Sequence, residues 1–300
     1  MTTVREELER ALKHRAVHCL PGSAAARVIA RGPGWTVSDV VCTSGPRDRA
    51  FEEQHTGFSI AIVAAGTFQY RSTKGQELMT PGSLLLGNPG QRFECGHEHG
   101  EGDRCLSFYY EPDYFENLAA DCGLRAGKPA FRALRLPPAR EFSRLTAQGC
   151  SALANRLDRD SDDWEGLGIR LAAQAVRLTG SSRAPSAPGS VARVTRVLRS
   201  IEKQFDTTLD LRSLAQQAGL SPYHFLRTFE HLTGVTPHQF LLRARLREAA
   251  TRLTLLSSKI VDIALDCGFA DVSNFNRAFR KEFGVSPRQY RMRPFQVRTN

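Results

Sequence analysis

The stretch Leu214-Ala215-Gln216-Gln217-Ala218-Gly219-Leu220 has a second copy 49 residues later, Ile263-Ala264-Leu265-Asp266-Cys267-Gly268-Phe269. Beyond the glycine the offset becomes 50, and Phe-x-Arg-x-Phe followed by Gly-Val-Thr/Ser-Pro occurs in both 225–237 and 275–287. A repeat this dense indicates two copies of one structural unit. Residues 211–290 are therefore expected to fold as two similar units.

Each copy has the pattern of two helices joined by a tight turn. In the first copy, apolar residues recur at helical spacing until Gly219, a residue type that commonly ends helices. Ser221 and Pro222 then provide a cap and a first-turn proline for a second helix. This pattern predicts two helix-turn-helix units whose second helices can enter a DNA major groove. At 100° per residue the outward positions are Tyr223, Arg227, Glu230, His231, Ser273, Arg277, Arg280 and Lys281, flanked by Asn274 and Asn276.

A long helix is predicted between the two units. Thr236 and Pro237 begin it, and an apolar pattern continues without a breaker to Leu255 or Leu256. Twenty helical residues span roughly 30 Å, and successive major grooves on one side of B-DNA lie about 34 Å apart. We therefore expect both second helices to enter adjacent major grooves of one double-stranded DNA site. The long helix carries four arginines, which are Arg243, Arg245, Arg247 and Arg252. Two alternatives remain for them, contact with DNA phosphates or a solvated helix face.

The net charge and the cysteine content limit the classes to which the protein can belong. The formal net charge is +10, and residues 191–300 hold 18 of the 41 Lys and Arg but only 9 of the 31 Asp and Glu. This excess suits a half that meets DNA phosphates. Seven irregularly spaced cysteines favour a reducing compartment over a disulfide framework. With neither a signal-peptide pattern in residues 1–20 nor a membrane-length apolar run, we expect a soluble, cytoplasmic protein with no membrane partner.

In the amino-terminal half, the spacing of apolar residues changes from a period of two, typical of strands, to the spacing of helices. Residues 1–20 form either an amphipathic helix or a loose lead-in. Short β-rich segments separated by Gly and Pro predict a small antiparallel barrel or sandwich, and they are Trp35–Cys42, Phe58–Ala64, Thr67–Ser72, Ser83–Leu86 and Leu106–Tyr110. Three helical patterns follow between residues 112 and 178, either as a dimer surface or as a cover for the barrel's own core.

The composition of residues 181–190, rich in Ser, Ala and Pro, predicts a linker. The fold class expected is therefore α+β with two domains. A β-barrel with appended helices occupies residues 1–180, and an all-α domain of two helix-turn-helix units joined by a long helix occupies residues 191–300.

Residues 191–293 resemble the DNA-binding domain of the AraC/XylS family of bacterial transcription regulators. In that family the exposed positions of the second helices read bases, which implies base contacts for Tyr223, Leu226 and Arg227 and for Ser273, Asn276 and Arg277. Leu226 departs from the more polar members, because it contacts a thymine methyl but forms no hydrogen bond. The residues that carry the resemblance are Ala215, Ala218-Gly219, Ser221, Phe225-Leu226-Arg227, Phe229, Gly234, Pro237, Ile263-Ala264, Gly268-Phe269, Phe275-Asn276-Arg277, Phe279 and 284–291.

The resemblance also implies a function and partners. Residues 79–86 with Pro89-Gly90 resemble a cupin barrel, the usual sensor domain of the family, over about residues 30–110. The implied protein is a sequence-specific DNA-binding regulator, not an enzyme and without catalytic residues. A small-molecule effector at residues not yet assigned would control it, with RNA polymerase and a second copy of the chain as partners and activation as the commoner role. The alternatives are a metal-dependent cupin enzyme fused to a DNA-binding domain, and an effector-independent DNA-binding protein.

No cofactor is expected unless one cluster binds a metal ion. Cys95, His97, His99 and Cys105 lie close together, and alternate residues of an extended strand face the same way. One thiol and two imidazoles on one wall would suit zinc. Gly96 and Gly100 argue against a regular strand, so the alternative is a polar loop with incidental His and Cys.

Overall fold

The secondary structure follows the predicted division into a β-rich half and a helical half. The computed structural model describes residues 3–121, 130–155, 161–178, 189–207 and 209–292. The strands are β1 Ala24–Gly32, β2 Trp35–Cys42, β3 Phe51–Gln54, β4 Phe58–Gly66, β5 Phe68–Ser72, β6 Gly75–Met79, β7 Leu84–Gly87, β8 Arg92–Gly96, β9 Asp103–Tyr110 and β10 Arg135–Leu136. The helices are α1 Val4–Val17, α2 Pro112–Asp121, α3 Arg140–Asn155, α4 Ser161–Leu178, α5 Ser190–Lys203, α6 Leu211–Ala218, α7 Pro222–Thr233, α8 Pro237–Leu255, α9 Ile260–Asp266, α10 Val272–Phe283 and α11 Pro287–Met292.

The strands form two antiparallel sheets packed face to face. One has the order β1-β2-β9-β4-β7-β10 and the other β3-β8-β5-β6. Because side chains alternate along a strand, Ala61 and Val63 face the second sheet while Ile60 and Ile62 face the helices. Tyr70 of the second sheet fills the space between the sheets and is fully buried. The predicted antiparallel barrel or sandwich is confirmed.

Helices cover the outer face of the larger sheet. Phe142 of α3 and Trp164 and Leu171 of α4 share one buried core with Ile60 and Phe108 of the strands. In the described residues these helices therefore cover the core, the second of the two alternatives predicted for them. The amino-terminal stretch is a helix with a capping box at Thr3. The predicted linker at 181–190 lies outside the described residues, apart from Gly189 and Ser190.

An arginine joins α1 to the sheet. Arg104 of β9 is 2% exposed, and its Nε and Nη2 donate to the two carboxylate oxygens of Asp39 at 2.9 Å each. The same guanidinium pairs with Glu7 and donates to the main-chain oxygen of Val4 at 3.3 Å. A buried charge is tolerated only when it is paired in this way, so this contact fixes where α1 lies on the sheet.

The helical half consists of two small cores joined by α8. Phe225 and Phe229 lie in the first core with α5 and α6, and Phe275 and Phe279 lie in the second with α9 and α11. The second helices α7 and α10 both end at a glycine in the left-handed region, with φ of 84° at Gly234 and 77° at Gly284. The two predicted helix-turn-helix units and their long connecting helix are confirmed.

Candidate nucleic-acid interface

The exposed side of α7 carries the first set of predicted DNA-reading residues. Ser221 caps the helix by accepting from the main-chain N–H of His224 at 3.4 Å. Phe225 and Phe229 are fully buried, which turns Arg227 to the exposed side and leaves Leu226 half-buried. Tyr223 lies in the first turn of α7, and its side chain is outside the described residues. The helix therefore presents Arg227 at the centre of its outer face.

The exposed side of α10 is more strongly cationic. Asp271 caps it by accepting from the N–H of Asn274 at 2.7 Å. Three phenylalanines bury the inner side, as predicted from their spacing. The exposed residues are Ser273, Asn274, Asn276, Arg277, Arg280 and Lys281. Arg277 thus occupies on α10 the place that Arg227 occupies on α7.

The arginines of α8 do not form the solvated face that was one of the two alternatives predicted from sequence. All four are half-buried, and three of them, Arg243, Arg245 and Arg252, donate hydrogen bonds within the protein. Arg247 lies against the turn at Gly82, where an added Cβ would be 2.8 Å from its Nη1. The others donate as follows: Arg243 to Glu282 at 3.1 Å and to the Pro138 oxygen at 2.8 Å, Arg245 to the oxygens of Phe205 at 2.6 Å and Thr207 at 2.7 Å, and Arg252 to Glu248 at 2.7 Å.

The β-rich half of the chain contacts α7 at its carboxyl end. Arg135 of β10 donates from Nη1 to the Thr233 oxygen at 2.9 Å and from Nη2 to the Leu232 oxygen at 3.0 Å. Its Nε donates to Glu77 of β6 at 2.9 Å, and its side chain is only 3% exposed. A cation at a helix carboxyl end satisfies carbonyl groups that lack helical partners and complements the helix dipole. Sequence reasoning missed this contact, since Arg135 stands in no motif.

The β-rich half also contacts α10 at its carboxyl end. The hydroxyl of Ser143 in α3 donates to the carboxylate of Glu282, which Arg243 of α8 also pairs with. Helix α3 packs along α8 and against α10. The second helices α7 and α10, called the recognition helices below, are therefore both anchored at their carboxyl ends to elements of the β-rich half.

The cysteine and histidine cluster is arranged differently from the prediction. Strand β8 ends at Gly96 and His99 is exposed, so of the two alternatives the single wall of Cys95, His97 and His99 does not form, and residues 97–100 are a loop. The buried His97 instead contacts Asp103, with Nε2 2.7 Å from Oδ1. Burial lowers the pKa of His97, but its interactions with Asp103 and Cys42 outweigh burial and raise this pKa to about 9.

Two neighbours complete this buried cluster. Cys105 Sγ donates to Asp103 Oδ2 at 3.2 Å. Cys42, which no motif singled out, lies opposite Asp103 on the neighbouring strand. The signal that could have found it was the pairing of β2 with β9, which sequence alone does not provide.

A small cavity lies between the two halves. Its volume is about 90 Å³, and Ala64, Cys150, Glu202 and Arg247 are among its lining residues. Burial raises the pKa of Glu202 to about 7, against the lowering effect of nearby arginines. The cavity is smaller than the roughly 300 Å³ or more of common ligand pockets.

None of the helices in the described residues combines the length and the apolar composition that a membrane span requires.

Comparison with known proteins adds two family matches and several relatives. The AraC-like ligand binding domain matches residues 40–207, more than half of the chain, and a helix-turn-helix domain matches residues 214–293. The HTH-type transcriptional activator RhaS of Citrobacter koseri is 28% identical over 250 residues, covering 81% of this chain and 88% of that protein. RhaS of Escherichia coli O1:K1 is 27% identical over 249 residues, covering 80% and 87%. A transcriptional regulator with an AraC-type DNA-binding domain from Chromobacterium violaceum is 28% identical, covers 37% of this chain and 100% of its own, and has a TM-score of 0.34.

Proposed function

Since the chain belongs to the AraC/XylS family of DNA-binding transcription regulators, we propose that α7 and α10 read two adjacent major grooves of one operator and that the sensor domain controls how they do so. The observation that carries this proposal is the equivalent, exposed placement of Arg227 and Arg277 on two helices joined by a 19-residue helix. The chain is a regulator and not an enzyme.

The exposed side chains divide by chemistry. The guanidinium groups of Arg227 and Arg277 suit bidentate hydrogen bonds to guanine, and the amide of Asn276 suits adenine. Leu226 contacts a thymine methyl group, and Tyr223 and Ser273 supply hydroxyls. Asn274, Arg280 and Lys281 flank these positions, and the two cations there suit phosphates. We expect α7 to contribute more to base selection and α10 more to phosphate anchoring.

Control by the sensor domain acts through the anchored ends of the recognition helices. An effector that binds one arrangement of β6, β10 and α3 better than another changes the population of α7 and α10 orientations. Arg135 and Ser143 are the residues through which that change reaches the DNA-binding half. The support is geometric, because each bonds directly to the carboxyl end of a recognition helix or to a side chain there.

The wider setting follows from the relatives. RhaS is named a transcriptional activator, and we propose activation through RNA polymerase for this chain too. We propose a small-molecule effector in the amino-terminal domain, a homodimer, and a place of action in the cytoplasm, where a bacterial chromosome lies. The domains proposed are residues 1–180 and 191–300, with 181–190 as the linker.

The DNA-reading assignment is tested by alanine variants of the paired arginines. The operator is first selected with the full-length protein from random-sequence duplexes, and affinity is then measured by fluorescence anisotropy at one fixed salt concentration. We expect Arg227→Ala and Arg277→Ala each to weaken binding by about 1–3 kcal/mol, roughly 5- to 150-fold. Arg10→Ala, an exposed change on α1, serves as the control. Unchanged affinity in both variants would show that these helices do not read the operator.

A further inference from the structure

Three side chains of different chemistry, each of a type that can supply a metal ligand, converge at one end of the β-sandwich. Cys42 is the last residue of β2 and lies opposite Asp103, the first residue of β9, in the antiparallel ladder. Paired residues of neighbouring strands point to the same face, which here is the face toward the second sheet. His97 follows β8 of that second sheet and reaches back to Asp103. Two sheets thus supply a thiol, a carboxyl and an imidazole to one point.

The spacing of the three donor atoms suits a single metal ion. One ligand atom from each residue lies within 4.8 Å of the other two. In a tetrahedral zinc site, bonds of about 2.0–2.3 Å place neighbouring ligand atoms roughly 3.5 Å apart. All three residues are buried, with exposed fractions of 2% for Cys42, 4% for His97 and 5% for Asp103. Side-chain adjustments of about 1 Å would close this set around an ion.

The imidazole of His97 has one ring nitrogen, Nε2, in contact with Asp103. In the described part of the chain, Nδ1 of His97 is buried and has no hydrogen-bond partner. A buried ring nitrogen without a partner is destabilising and uncommon in native proteins. The ring of Phe68, 5.9 Å from that of His97, adds to the apolar surroundings of the imidazole.

We propose that Cys42, His97 and Asp103 bind one Zn²⁺ ion inside the sensor domain. A thiolate, an imidazole and a carboxylate match the ligand preferences of this borderline ion. On binding, the thiol proton of Cys42 and any second proton on His97 leave to solvent. Cys105, whose Sγ donates to Asp103 Oδ2 at 3.2 Å, is the neighbouring thiol that would supply a fourth ligand.

The position of the site links it to the DNA-binding half. The loop from His97 to Gly100 shares a small surface cleft with Thr195 of α5 and with Leu78. Leu78 belongs to the same core as Phe225 and Phe229 of α7. An ion that fixes the loop therefore fixes a surface against which the first helix-turn-helix unit packs. The metal site itself does not depend on the proposed DNA contacts.

The first experiment measures metal in the full-length protein. Protein stripped with a chelator is loaded with Zn²⁺, dialysed, and analysed for bound metal by mass spectrometry. We expect one equivalent of zinc per chain. A parallel sample loaded with Co²⁺ should show a thiolate-to-cobalt charge-transfer band and the intense visible bands of a tetrahedral site. Absence of stoichiometric zinc, or a cobalt spectrum without the thiolate band, would overturn the proposal.

The second experiment uses matched variants. We expect Cys42→Ser and His97→Gln to weaken Zn²⁺ binding by at least about 100-fold in competition with a chelating dye, since each removes a ligand. Cys19→Ser and His99→Gln change an exposed cysteine and an exposed histidine and should bind as the wild type does. Equal binding by all four would assign the zinc to another site. If circular dichroism shows a ligand variant to be unfolded, the cobalt spectrum of the wild type decides.

Discussion

At the scale of single residues, the sensor domain depends on charges that are buried and paired. Arg104 donates to both carboxylate oxygens of Asp39. Arg27, which lies at the protein surface, donates to the same carboxylate over a distance of 3.2 Å. The two arginines differ in environment: the side chain of Arg104 is 2% exposed and that of Arg27 is 66% exposed. They form a natural comparison of a buried and an exposed ion pair with one shared partner.

Replacing Arg104 and replacing Arg27 should lower the free energy of unfolding by unequal amounts. Arg104→Ala leaves Asp39 and Glu7 without their buried partner, and we expect the free energy of unfolding to fall by about 3–5 kcal/mol. Arg27→Ala removes a solvent-screened contact and should cost less than about 1 kcal/mol. Urea unfolding followed by circular dichroism at neutral pH measures both. Similar costs for the two variants would mean that burial of the Arg104 pair contributes nothing.

Residues of this kind mark the limit of sequence reasoning. The spacing of Phe275 and Phe279 placed Arg277 on the outer side of α10, because a single helix sets that geometry. Nothing local distinguished Arg104 from a surface arginine. Cys42 and Asp103 meet only through the pairing of two strands far apart in sequence, so the metal set predicted from sequence, Cys95, His97, His99 and Cys105, included neither of them.

At the scale of secondary-structure elements, the recognition helices are defined at both ends. Side chains of Ser221 and Asp271 cap their amino ends, and glycines end them. Such signals are local, so the helices could be predicted from sequence. Strands β1, β3 and β8 could not, because they carry Ala, Arg and Glu at positions where a β pattern needs apolar residues. Their pairing with neighbours, rather than their own composition, makes them strands.

The contact of Arg135 with α7 gives a prediction about that helix. In Arg135→Gln the carbonyl groups of Leu232 and Thr233 lose a buried, charged donor, so the last turn of α7 should open more often. We expect amide hydrogen exchange in residues 229–233 to become roughly 10-fold faster, about 1.4 kcal/mol in local opening. Arg132→Gln, an exposed change three residues away, is the control. Unaltered exchange in α7 would show that the sensor half does not stabilise its end.

At the scale of the whole molecule, the two reading helices are held at one separation. Helix α8 has 19 residues and so a length of about 28 Å. It is packed on both sides, against the two helix-turn-helix cores and against α3. A connection supported in this way does not stretch or rotate freely, which makes the spacing of the two DNA subsites a property of the protein.

Operator spacing should therefore matter more than operator length. Inserting five base pairs between the two subsites turns one of them to the opposite side of the duplex, and we expect affinity to fall by at least about 10-fold, to that of a single unit. Ten inserted base pairs restore the rotation but exceed the reach of α8, so they should not restore binding. A duplex with the five base pairs added outside the site is the control. Full affinity with the internal insertion would mean that only one unit binds DNA.

The bonds between the halves end largely on the main chain. Arg135 donates to the oxygens of Leu232 and Thr233, and Arg243 donates to the oxygen of Pro138. Every amino acid carries that oxygen, so the accepting positions are free to change identity over evolution without losing the contact. Besides the side-chain pair of Ser143 and Glu282, only the two arginine donors must persist. One DNA-binding half could thus be combined with sensor halves of diverging sequence, and a change of inducer specificity would not require a change of operator.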